Sequence, residues 1–324
     1  MGADNVGVTS EFAPLHTVVV ARCEFRAPDS PEILGHRMPV EPEAVQILEQ
    51  TWGKDFGAVF PDRQRVWEAE RDELAEVLRR HGVEVLRPRL FTAEEKAAAG
   101  AEGYANFFVR DPWFTVGDQV IEGSLQFRHR RGEVLPSRSI LLDRVMPSAA
   151  GYVAIPQPAI APVGVAGEGP FLEGGDVLVH GTEVFVGVSG MATDESGCAW
   201  LTKYLRQHGL SVTPVRLAPH VLHLDCALGL VREGLAIRCG DRLPDGVPDS
   251  LRDWDFIEVS EAEAAAMATN GLPIDPDTYI TDPAFDRVGR ALEVRGVTVE
   301  YIDFAVSRLF GGAFRCSTQP LSRS

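Results

Sequence analysis

Five residues with chemically active side chains each stand beside a glycine, a proline or a predicted turn: Cys316, His223, Asp111, Glu173 and Asp225. A thiolate suits a poor electrophile, because it attacks where a hydroxyl would not. An imidazole oriented by a carboxylate can give a proton to a leaving group and later take one from an incoming group. The set therefore predicts nucleophilic catalysis with proton transfer.

A guanidinium group matches these residues because its carbon is a resonance-stabilised, poor electrophile. We expect Cys316 to attack that carbon and form a covalent S-amidino-cysteine, with arginine as the donor. His223 would act as general acid and then as base, while Glu173 orients and charges the imidazole. Asp111 and Asp225 would each accept two N–H donors of the planar cation, which on binding would lower the pKa of the thiol.

Each of these residues also has an inert interpretation. A single cysteine is more often a small buried hydrophobe, which we expect for the four in apolar strand or helix contexts: Cys23, Cys198, Cys226 and Cys239. Cys316 differs because it follows Gly-Gly in a polar stretch. Asp111 before a proline, and Asp176 after Gly-Gly, are also compatible with turn formation alone. The combination favours catalysis because the separate roles fit one reaction.

The elements that would position these residues are predicted to repeat. Three predicted helices end at Gly82, Gly209 and Gly296, and an alternating apolar and polar strand follows each glycine. Apolar residues at helical spacing predict the first of these helices over 62–81. Each helix is therefore expected to lead into a strand.

An acidic residue opens each of three predicted hairpins, at Asp111, Asp176 and Asp225, and a glycine-containing turn joins the two strands. A first hairpin-like unit over 15–23 and a last one over 296–316 would complete roughly five units of strand, strand, helix and strand. No low-complexity linker divides the chain, so we predict one α/β domain over 1–324. If the units surround an axis, the residues that open the hairpins converge on it.

Composition narrows the partners. A net charge of -16 would repel a phosphate backbone, which argues against nucleic acid and suits a cationic small molecule. The sequence has no run of ~18 apolar residues, and its first residues lack the features of a secretion signal, so we expect no membrane span and a cytoplasmic protein. The five cysteines lack CxxC spacing, which argues against a disulfide framework or a structural zinc site.

Four motifs resemble those of the guanidino-group-modifying enzymes of the pentein fold, which include arginine deiminases, dimethylargininases and amidinotransferases. They are Phe-Val-Arg-Asp-Pro at 108–112, Leu-Glu-Gly-Gly-Asp at 172–176, His-Leu-Asp at 223–225 and Gly-Gly-Ala-Phe-Arg-Cys at 311–316. The segment at 11–20 is similar to the first strand of that family. The resemblance implies a five-bladed α/β propeller with pseudo-fivefold symmetry and a catalytic triad of Cys316, His223 and Glu173. It also implies substrate binding by Asp111, Asp225 and Asp176, with no metal and no organic cofactor.

Two segments resemble the arginine amidinotransferases in particular. The stretch at 117–130 is similar to one that ends in an Arg-rich segment, from which Arg128 is a predicted substrate-binding residue. The stretch at 237–244 resembles a turn whose arginine binds the α-carboxylate of the donor, and that role carries over to Arg242. Where deiminases place a carboxylate-binding arginine after the third hairpin, this chain has Gly190 and Met191.

Other features resemble the hydrolases. Glu173 stands where amidinotransferases of the glycine and inosamine type carry Asp, and the segment at 316–323 is similar to that of deiminases. Both reactions pass through the same S-amidino intermediate, and they differ in whether an amine or a water reaches it.

The sequence thus predicts an arginine-dependent amidinotransferase of specialised metabolism that releases ornithine and passes the amidino group to an amine acceptor. The alternative enzyme is a deiminase, dihydrolase or dimethylargininase that gives citrulline. A non-catalytic ligand-binding module with the same fold is a third interpretation. The expected partners are L-arginine and the amine acceptor, and association into a homo-oligomer is compatible with the sequence. The acceptor remains open among glycine, lysine, an aminocyclitol and an amine on another metabolite.

Overall fold

The structure is a computed structural model, and it describes residues 6–34, 42–159 and 161–324. The strands are, in chain order, β1 (Gly7–Val8), β2 (Leu15–Val20), β3 (Glu24–Arg26), β4 (Glu84–Leu86), β5 (Tyr104–Asn106), β6 (Trp113–Val116), β7 (Gln119–Glu122), β8 (Gly151–Ala154), β9 (Val177–His180), β10 (Glu183–Val188), β11 (Ser211–Arg216), β12 (Leu228–Arg232), β13 (Leu235–Arg238), β14 (Asp255–Glu258), β15 (Leu272–Asp275), β16 (Thr278–Thr281), β17 (Thr298–Tyr301) and β18 (Thr318–Arg323).

The helices are α1 (Pro31–Leu34), α2 (Pro42–Thr51), α3 (Phe56–Val59), α4 (Pro61–Arg80), α5 (Ala93–Ala99), α6 (Arg138–Ile140), α7 (Glu195–Arg206), α8 (Glu261–Ala265), α9 (Asp286–Val294) and α10 (Ala305–Leu309). Short 3-10 turns at Gly174–Asp176 and Leu224–Cys226 lead directly towards β9 and β12. No helix among the described residues has the length and apolarity needed to cross a membrane.

Five sheets within the described residues repeat one arrangement, in which the inner strand of an antiparallel pair carries a third, parallel strand on its other edge. Four of them are β6–β7–β8, β9–β10–β11, β12–β13–β14 and β15–β16–β17. In the fifth, β2 pairs antiparallel with β18 and parallel with β4. Strands from near both ends of the described chain therefore share a sheet.

The structure confirms the predicted succession of helix, glycine and strand. Gly82, Gly209 and Gly296 have φ angles of +78°, +75° and +79°, a backbone region that glycine enters without steric cost. They follow α4, α7 and α9 and precede β4, β11 and β17. The start of α7 is capped by Asp194, whose side chain accepts a hydrogen bond from the N–H of Gly197 at 2.7 Å.

The three predicted hairpins are confirmed as β6–β7, β9–β10 and β12–β13, but the first and last units were predicted wrongly. Residues 15–23 do not form a hairpin, because β2 takes the distant β18 as its antiparallel partner. In the last unit the hairpin is β15–β16, and β17 joins it as the parallel third strand. No ladder of hydrogen bonds among the described residues joins the sheets into a closed propeller, so pseudo-fivefold symmetry stays a prediction.

Apolar side chains pack the sheets against the helices and against one another. One buried cluster joins Val18 of β2, Leu74 of α4 and Ile280 of β16, and it includes Phe314 two residues before Cys316. Burial of each such side chain contributes about 1.5–3 kcal/mol, and the sum holds the strand ends in fixed positions. The loops at those ends carry the predicted catalytic residues.

Candidate active site

The structure places the five predicted catalytic and guanidinium-binding side chains in one buried region. Asp111 lies two residues before β6, and Glu173 and His223 lie directly before the 3-10 turns that lead to β9 and β12. Cys316 lies two residues before β18, beside Asp225. All five are at most 2% exposed. Residues that lie shortly before strands of different sheets therefore meet, as the sequence pattern predicts.

His223 is held between two carboxylates. Its Nε2 lies 3.0 Å from Glu173 Oε2, and its Nδ1 lies 3.8 Å from Asp111 Oδ1. Burial alone would lower the pKa of His223, but the negative charges of Asp111, Glu173 and Asp176 outweigh burial and raise it to about 10. An imidazole in this state carries a proton at neutral pH and can donate it.

A buried arginine joins the same two carboxylates. Arg130 Nη2 donates to Asp111 Oδ2 at 2.7 Å, and its Nη1 donates to Glu173 Oε2 at 3.3 Å. Arg130 also donates to both oxygens of Glu133, each at 2.8 Å. Burial would lower the pKa of Arg130, but the three carboxylates together raise it. The guanidinium thus fixes the positions of Asp111 and Glu173.

The charges of this cluster nearly balance. Two cations, His223 and Arg130, face Asp111 and Glu173, which leaves Glu133 as the surplus carboxylate. Burial raises the pKa of Glu133 to about 8, although Arg130 acts in the opposite direction. Burial would also raise the pKa of Asp111, but the charges of His223 and Arg130 outweigh it and lower that pKa. Glu133 is therefore the member that takes a proton near neutrality.

Cys316 lies in a tight loop beside Asp225. Its Sγ is 3.7 Å from Asp225 Oδ2, and burial, reinforced by the charges of Asp225 and Asp111, raises the pKa of the thiol. The preceding glycines allow the loop to close, because a Cβ on Gly312 would lie 2.5 Å from Phe108 Cζ and 2.8 Å from Cys316 Cβ. Without a ligand, the site favours the thiol over the thiolate.

Asp225 is already bound to an arginine of the chain. Arg315 Nη1 donates to Asp225 Oδ2 at 2.8 Å, and its Nε donates to Glu11 Oε2 at 3.0 Å. Its Nη2 donates to the main-chain oxygen of Val177 at 2.6 Å. Burial would raise the pKa of Glu11, but the charge of Arg315 outweighs it and lowers that pKa to about 2. A carboxylate has about four lone-pair sites, so Asp225 keeps acceptor capacity for a substrate.

Asp176, a predicted substrate-binding residue, supports the segment that carries His223. Its Oδ1 accepts the N–H of Leu224 at 2.9 Å, and burial raises its pKa to about 7. Its Oδ2 is buried without a hydrogen-bond partner among the described residues. The contact with the substrate stays a prediction.

The two arginines predicted to bind substrate make other contacts in this structure. Arg242 donates to Glu261 from Nη2 at 2.6 Å and from Nε at 2.9 Å, and from Nη1 to the main-chain oxygen of Cys226 at 2.8 Å. Arg128 donates to the main-chain oxygen of Pro162 at 2.8 Å, and its Nε lies 2.9 Å from Glu102 Oε1. Their substrate roles stay predictions. To bind a substrate carboxylate, Arg242 would have to release Glu261 or bind both carboxylates at once.

Sequence reasoning missed four charged residues of the site: Arg130, Glu133, Arg315 and Glu11. The Arg-rich end of the stretch at 117–130 was interpreted only as the source of a substrate-binding residue, Arg128. One signal was present in the sequence: Glu133 stands three residues after Arg130, a spacing at which a carboxylate can pair with a guanidinium. No comparable signal connects Glu11 with Arg315, because they are separated by 304 positions and meet only in the fold.

Asp111, Glu173 and His223 also form a group whose ligand atoms lie within 4.8 Å of one another, which is close enough to hold a metal ion. The guanidinium of Arg130 contacts both of those carboxylates, at 2.7 Å and 3.3 Å. A metal ion would have to compete with that cation for the same oxygens. The donor set therefore fits proton transfer by His223 better than metal coordination.

No family model matches the chain. The uncharacterized protein YkgA of Bacillus subtilis (strain 168) is 30% identical over 256 residues, which cover 78% of this chain and 79% of that protein. A putative inosamine-phosphate amidinotransferase 2 of Streptomyces griseus is 29% identical over an alignment of 354 positions, which covers 98% of this chain and 97% of that protein. The solved structure of an inosamine-phosphate amidinotransferase from Streptomyces griseus superposes with a TM-score of 0.80 at 26% identity, covering 99% of this chain and 97% of that one.

Proposed function

Because the chain belongs to the pentein superfamily of guanidino-group-modifying enzymes and is an amidinotransferase, we propose that L-arginine donates the amidino group and that ornithine is released. One observation carries the proposal. His223, bound to Glu173 at 3.0 Å, shares a buried, acid-lined region with the thiol of Cys316. This arrangement supplies a nucleophile, a proton donor and buried carboxylates that can accept hydrogen bonds from a cationic substrate.

The first half-reaction transfers the amidino group to sulfur. The guanidinium of arginine binds Asp111 and Asp225, and its positive charge offsets the carboxylates that raise the pKa of Cys316. The thiol of Cys316 then releases its proton to water, and the resulting thiolate attacks the guanidinium carbon and forms a C–S bond. His223 donates its proton to the departing nitrogen, the C–N bond breaks and ornithine leaves. An S-amidino-cysteine remains on Cys316.

The second half-reaction passes that group to the acceptor. Neutral His223 takes a proton from the incoming amine, whose nitrogen attacks the amidino carbon. The C–S bond breaks, and the sulfur leaves as the thiolate of Cys316. The product is a guanidine on the acceptor, and the imidazolium is restored. This order gives ping-pong kinetics.

Burial of the site supports transfer over hydrolysis. Cys316 and His223 are each 2% exposed, and Glu173 and Asp225 are fully buried. An S-amidino group in such a place meets little bulk water, so an amine that binds in the site can react first. Hydrolysis to citrulline is the competing outcome of the same intermediate.

The acceptor is proposed to be a primary amine on a small molecule. The amidinotransferases among the relatives are named for inosamine phosphates, so a phosphorylated aminocyclitol is the first acceptor to test. Glycine, lysine and simple diamines complete the panel. A cytoplasmic location and a homo-oligomeric state stay predictions.

The test uses arginine labelled in the guanidino carbon, with and without each amine. Without an acceptor, about one molecule of ornithine should form per molecule of enzyme. With the right acceptor, many molecules of ornithine should form per molecule of enzyme. Mass spectrometry of acid-quenched protein should find the labelled amidino group on the peptide that contains Cys316. A Cys316→Ala protein should carry no label, which serves as the control.

Three results would contradict the proposal. Formation of citrulline at full rate without any amine would assign the hydrolase reaction instead. Full turnover by Cys316→Ala would remove the covalent intermediate from either reaction. Absence of any label on Cys316 with arginine, but its presence with another guanidine, would exclude arginine as the donor.

A further inference from the structure

Asn270 holds the loop that carries the nucleophile. Its side-chain Oδ1 accepts the N–H of Ala313 at 3.0 Å and the N–H of Cys316 at 3.1 Å. Its main-chain oxygen accepts the N–H of Arg315 at 3.2 Å. The residue is 0% exposed. Three hydrogen bonds therefore fix Asn270 against the residues on either side of the thiol.

These contacts also determine which end of the side-chain amide is oxygen and which is nitrogen. If the amide were turned over, Nδ2 would face two N–H donors and neither bond could form. Oδ1 is therefore the acceptor, and Nδ2 points elsewhere. Among the described residues Nδ2 is buried and has no acceptor. A buried donor without a partner costs about 1–3 kcal/mol, and such a group in a native site requires an explanation.

The surroundings of Asn270 suggest which acceptor is missing. The preceding residue, Thr269, donates from Oγ1 to the main-chain oxygen of Asp225 at 2.8 Å. The carboxylate of Asp225 lies 3.7 Å from Cys316 Sγ. Residues 269 and 270 thus contact both the nucleophile's own residue and the main chain of Asp225, whose carboxylate lies beside the sulfur. In the resting thiol state the sulfur is a weak acceptor, whereas ionisation turns it into a charged one.

We propose that Asn270 Nδ2 donates a hydrogen bond to the Cys316 thiolate, so that Asn270 is a catalytic residue which stabilises the nucleophile. The bond forms when the thiol loses its proton, and it is released when the sulfur becomes bonded to the amidino carbon. A donor of this kind offsets part of the repulsion between the thiolate and Asp225. Its importance for turnover rests on the proposed function, but the hydrogen bond itself is independent of the substrate.

The chain is well suited to a direct measurement, because it contains only three asparagines, Asn5, Asn106 and Asn270. Selective ¹⁵N labelling of asparagine should give three side-chain amide groups in the NMR spectrum of the whole protein. Loss of one signal in Asn270→Asp assigns it to Asn270. The thiolate of Cys316 is followed in parallel by its ultraviolet absorbance, as the difference between the wild-type protein and Cys316→Ala.

The Asn270 amide protons should shift with the same midpoint at which the Cys316 thiolate appears, and the shift should be absent from Cys316→Ala. The Asn106 amide should not follow that midpoint. A shift of Asn270 that persists in Cys316→Ala, or no shift while the thiolate forms, would overturn the proposal. Neither measurement needs arginine, so a failed transfer assay would leave this result intact.

The size of the effect is measured with Asn270→Asp. A carboxylate keeps an acceptor for Ala313 and Cys316 but replaces the amide donor. Alkylation of Cys316 by iodoacetamide at neutral pH, followed on its own peptide, should slow by about tenfold or more, the factor that one unit of thiol pKa produces. Because aspartate also adds negative charge, the amide shift decides whether the donor is involved. An unchanged alkylation rate in a folded Asn270→Asp protein would contradict the proposal.

Discussion

At the scale of single residues, the nucleophile of the resting site still carries its proton and therefore cannot attack. The charges of Asp111, Glu173 and Asp176 raise the pKa of His223 to about 10, while burial and the charges of Asp225 and Asp111 raise the pKa of Cys316. The imidazolium is thus ready as an acid, but the nucleophile is a thiol. A guanidinium bound to Asp111 and Asp225 would neutralise the charge that opposes the thiolate. Substrate binding would then itself activate the nucleophile.

Glu173→Gln tests the role of the carboxylate beside His223. The amide keeps the shape but removes one of the charges that raise the pKa of His223, so less of the imidazole is protonated above neutrality. We expect kcat to fall about 100-fold or more, and the alkaline limb of the pH profile to move to lower pH. Glu258→Gln, which changes a carboxylate paired with Arg238 on the surface, is the control. An unshifted alkaline limb would show that Glu173 does not set the proton affinity of His223.

Arg242→Ala tests the predicted site for the α-carboxylate of the donor. Removal of the guanidinium should raise KM for arginine far more than KM for agmatine, which lacks that carboxylate. Glu261 binds Arg242 at 2.6 Å in this structure and would compete with the substrate. Glu261→Gln should therefore lower KM for arginine and leave KM for agmatine nearly unchanged. Equal effects of Arg242→Ala on both substrates would remove Arg242 from this role.

At the scale of elements, the 3-10 turns before β9 and β12 bring catalytic groups within reach. The turn at Gly174–Asp176 requires glycine because other backbone and side-chain atoms approach it closely. A Cβ on Gly174 would lie 2.1 Å from the main-chain oxygen of Arg110. A Cβ on Gly175 would lie 2.6 Å from His223 Nδ1 and 2.7 Å from Asp111 Oδ1. Because Gly174 and Gly175 have no Cβ, the turn before β9 can pack directly against the loop before β6 and against the imidazole.

Gly175→Ala should displace the imidazole without changing the reacting groups themselves. We expect kcat to fall about 100-fold, because a shift of the base by about 1 Å misplaces the proton transfer. Gly132→Ala is a matched control, since a Cβ there would make only ordinary contact with Phe91, at 3.7 Å. Activity is compared at equal folded fraction, measured by circular dichroism. Near-normal kcat in Gly175→Ala would mean that the imidazole is not held at the position seen here.

Element patterns were predictable where the information is local. The glycines at 82, 209 and 296 and the three hairpins after acidic residues depend on neighbouring residues, and the sequence predicted them correctly. The pairing of β2 with β18 joins residues about three hundred positions apart, and nothing in the pattern of either strand indicates its partner. A hairpin over 15–23 was predicted instead, because local pairing is the simplest use of an alternating strand.

At the scale of the whole molecule, the structure brings the predicted site residues together, but the residues that hold them in place were not predicted. Cys316, His223, Glu173, Asp111 and Asp225 carry recognisable motifs, and the fold brings them together. The buried arginines that hold the carboxylates were not predicted, because an arginine in a sequence is usually exposed. Arg315 connects Glu11, near the start of the chain, with Asp225 beside the nucleophile. Such contacts become visible only when the distant segments are assembled.

The buried charges also determine how stability should depend on pH. Glu133 and Asp176 have pKa values raised to about 8 and about 7, so the folded state binds more protons and stability falls as pH rises towards those values. His223, raised to about 10, stabilises fully below 6.5 and loses that contribution as pH rises through 10. As the pH falls below 4.5, the stabilising contribution of Glu11, whose pKa is lowered to about 2, is progressively lost. His129, whose pKa is lowered to about 3, stays neutral in the folded state, so stability also falls as the pH drops below 6.5. The opposing slopes place maximal stability on the acid side of neutrality.

We therefore expect Tm to peak on the acid side of neutrality and to decline on both sides of that maximum. Glu133→Gln removes one group responsible for the decline above that maximum, so its Tm should fall less steeply between mildly acid and mildly alkaline pH than that of the wild-type protein. Glu258→Gln, at an exposed ion pair, should keep the wild-type slope. Calorimetric scans across the pH range measure all three proteins. A maximum above neutrality would show that Glu133 and Asp176 are ionised in the folded state, and an unchanged slope in Glu133→Gln would separate Glu133 from the effect.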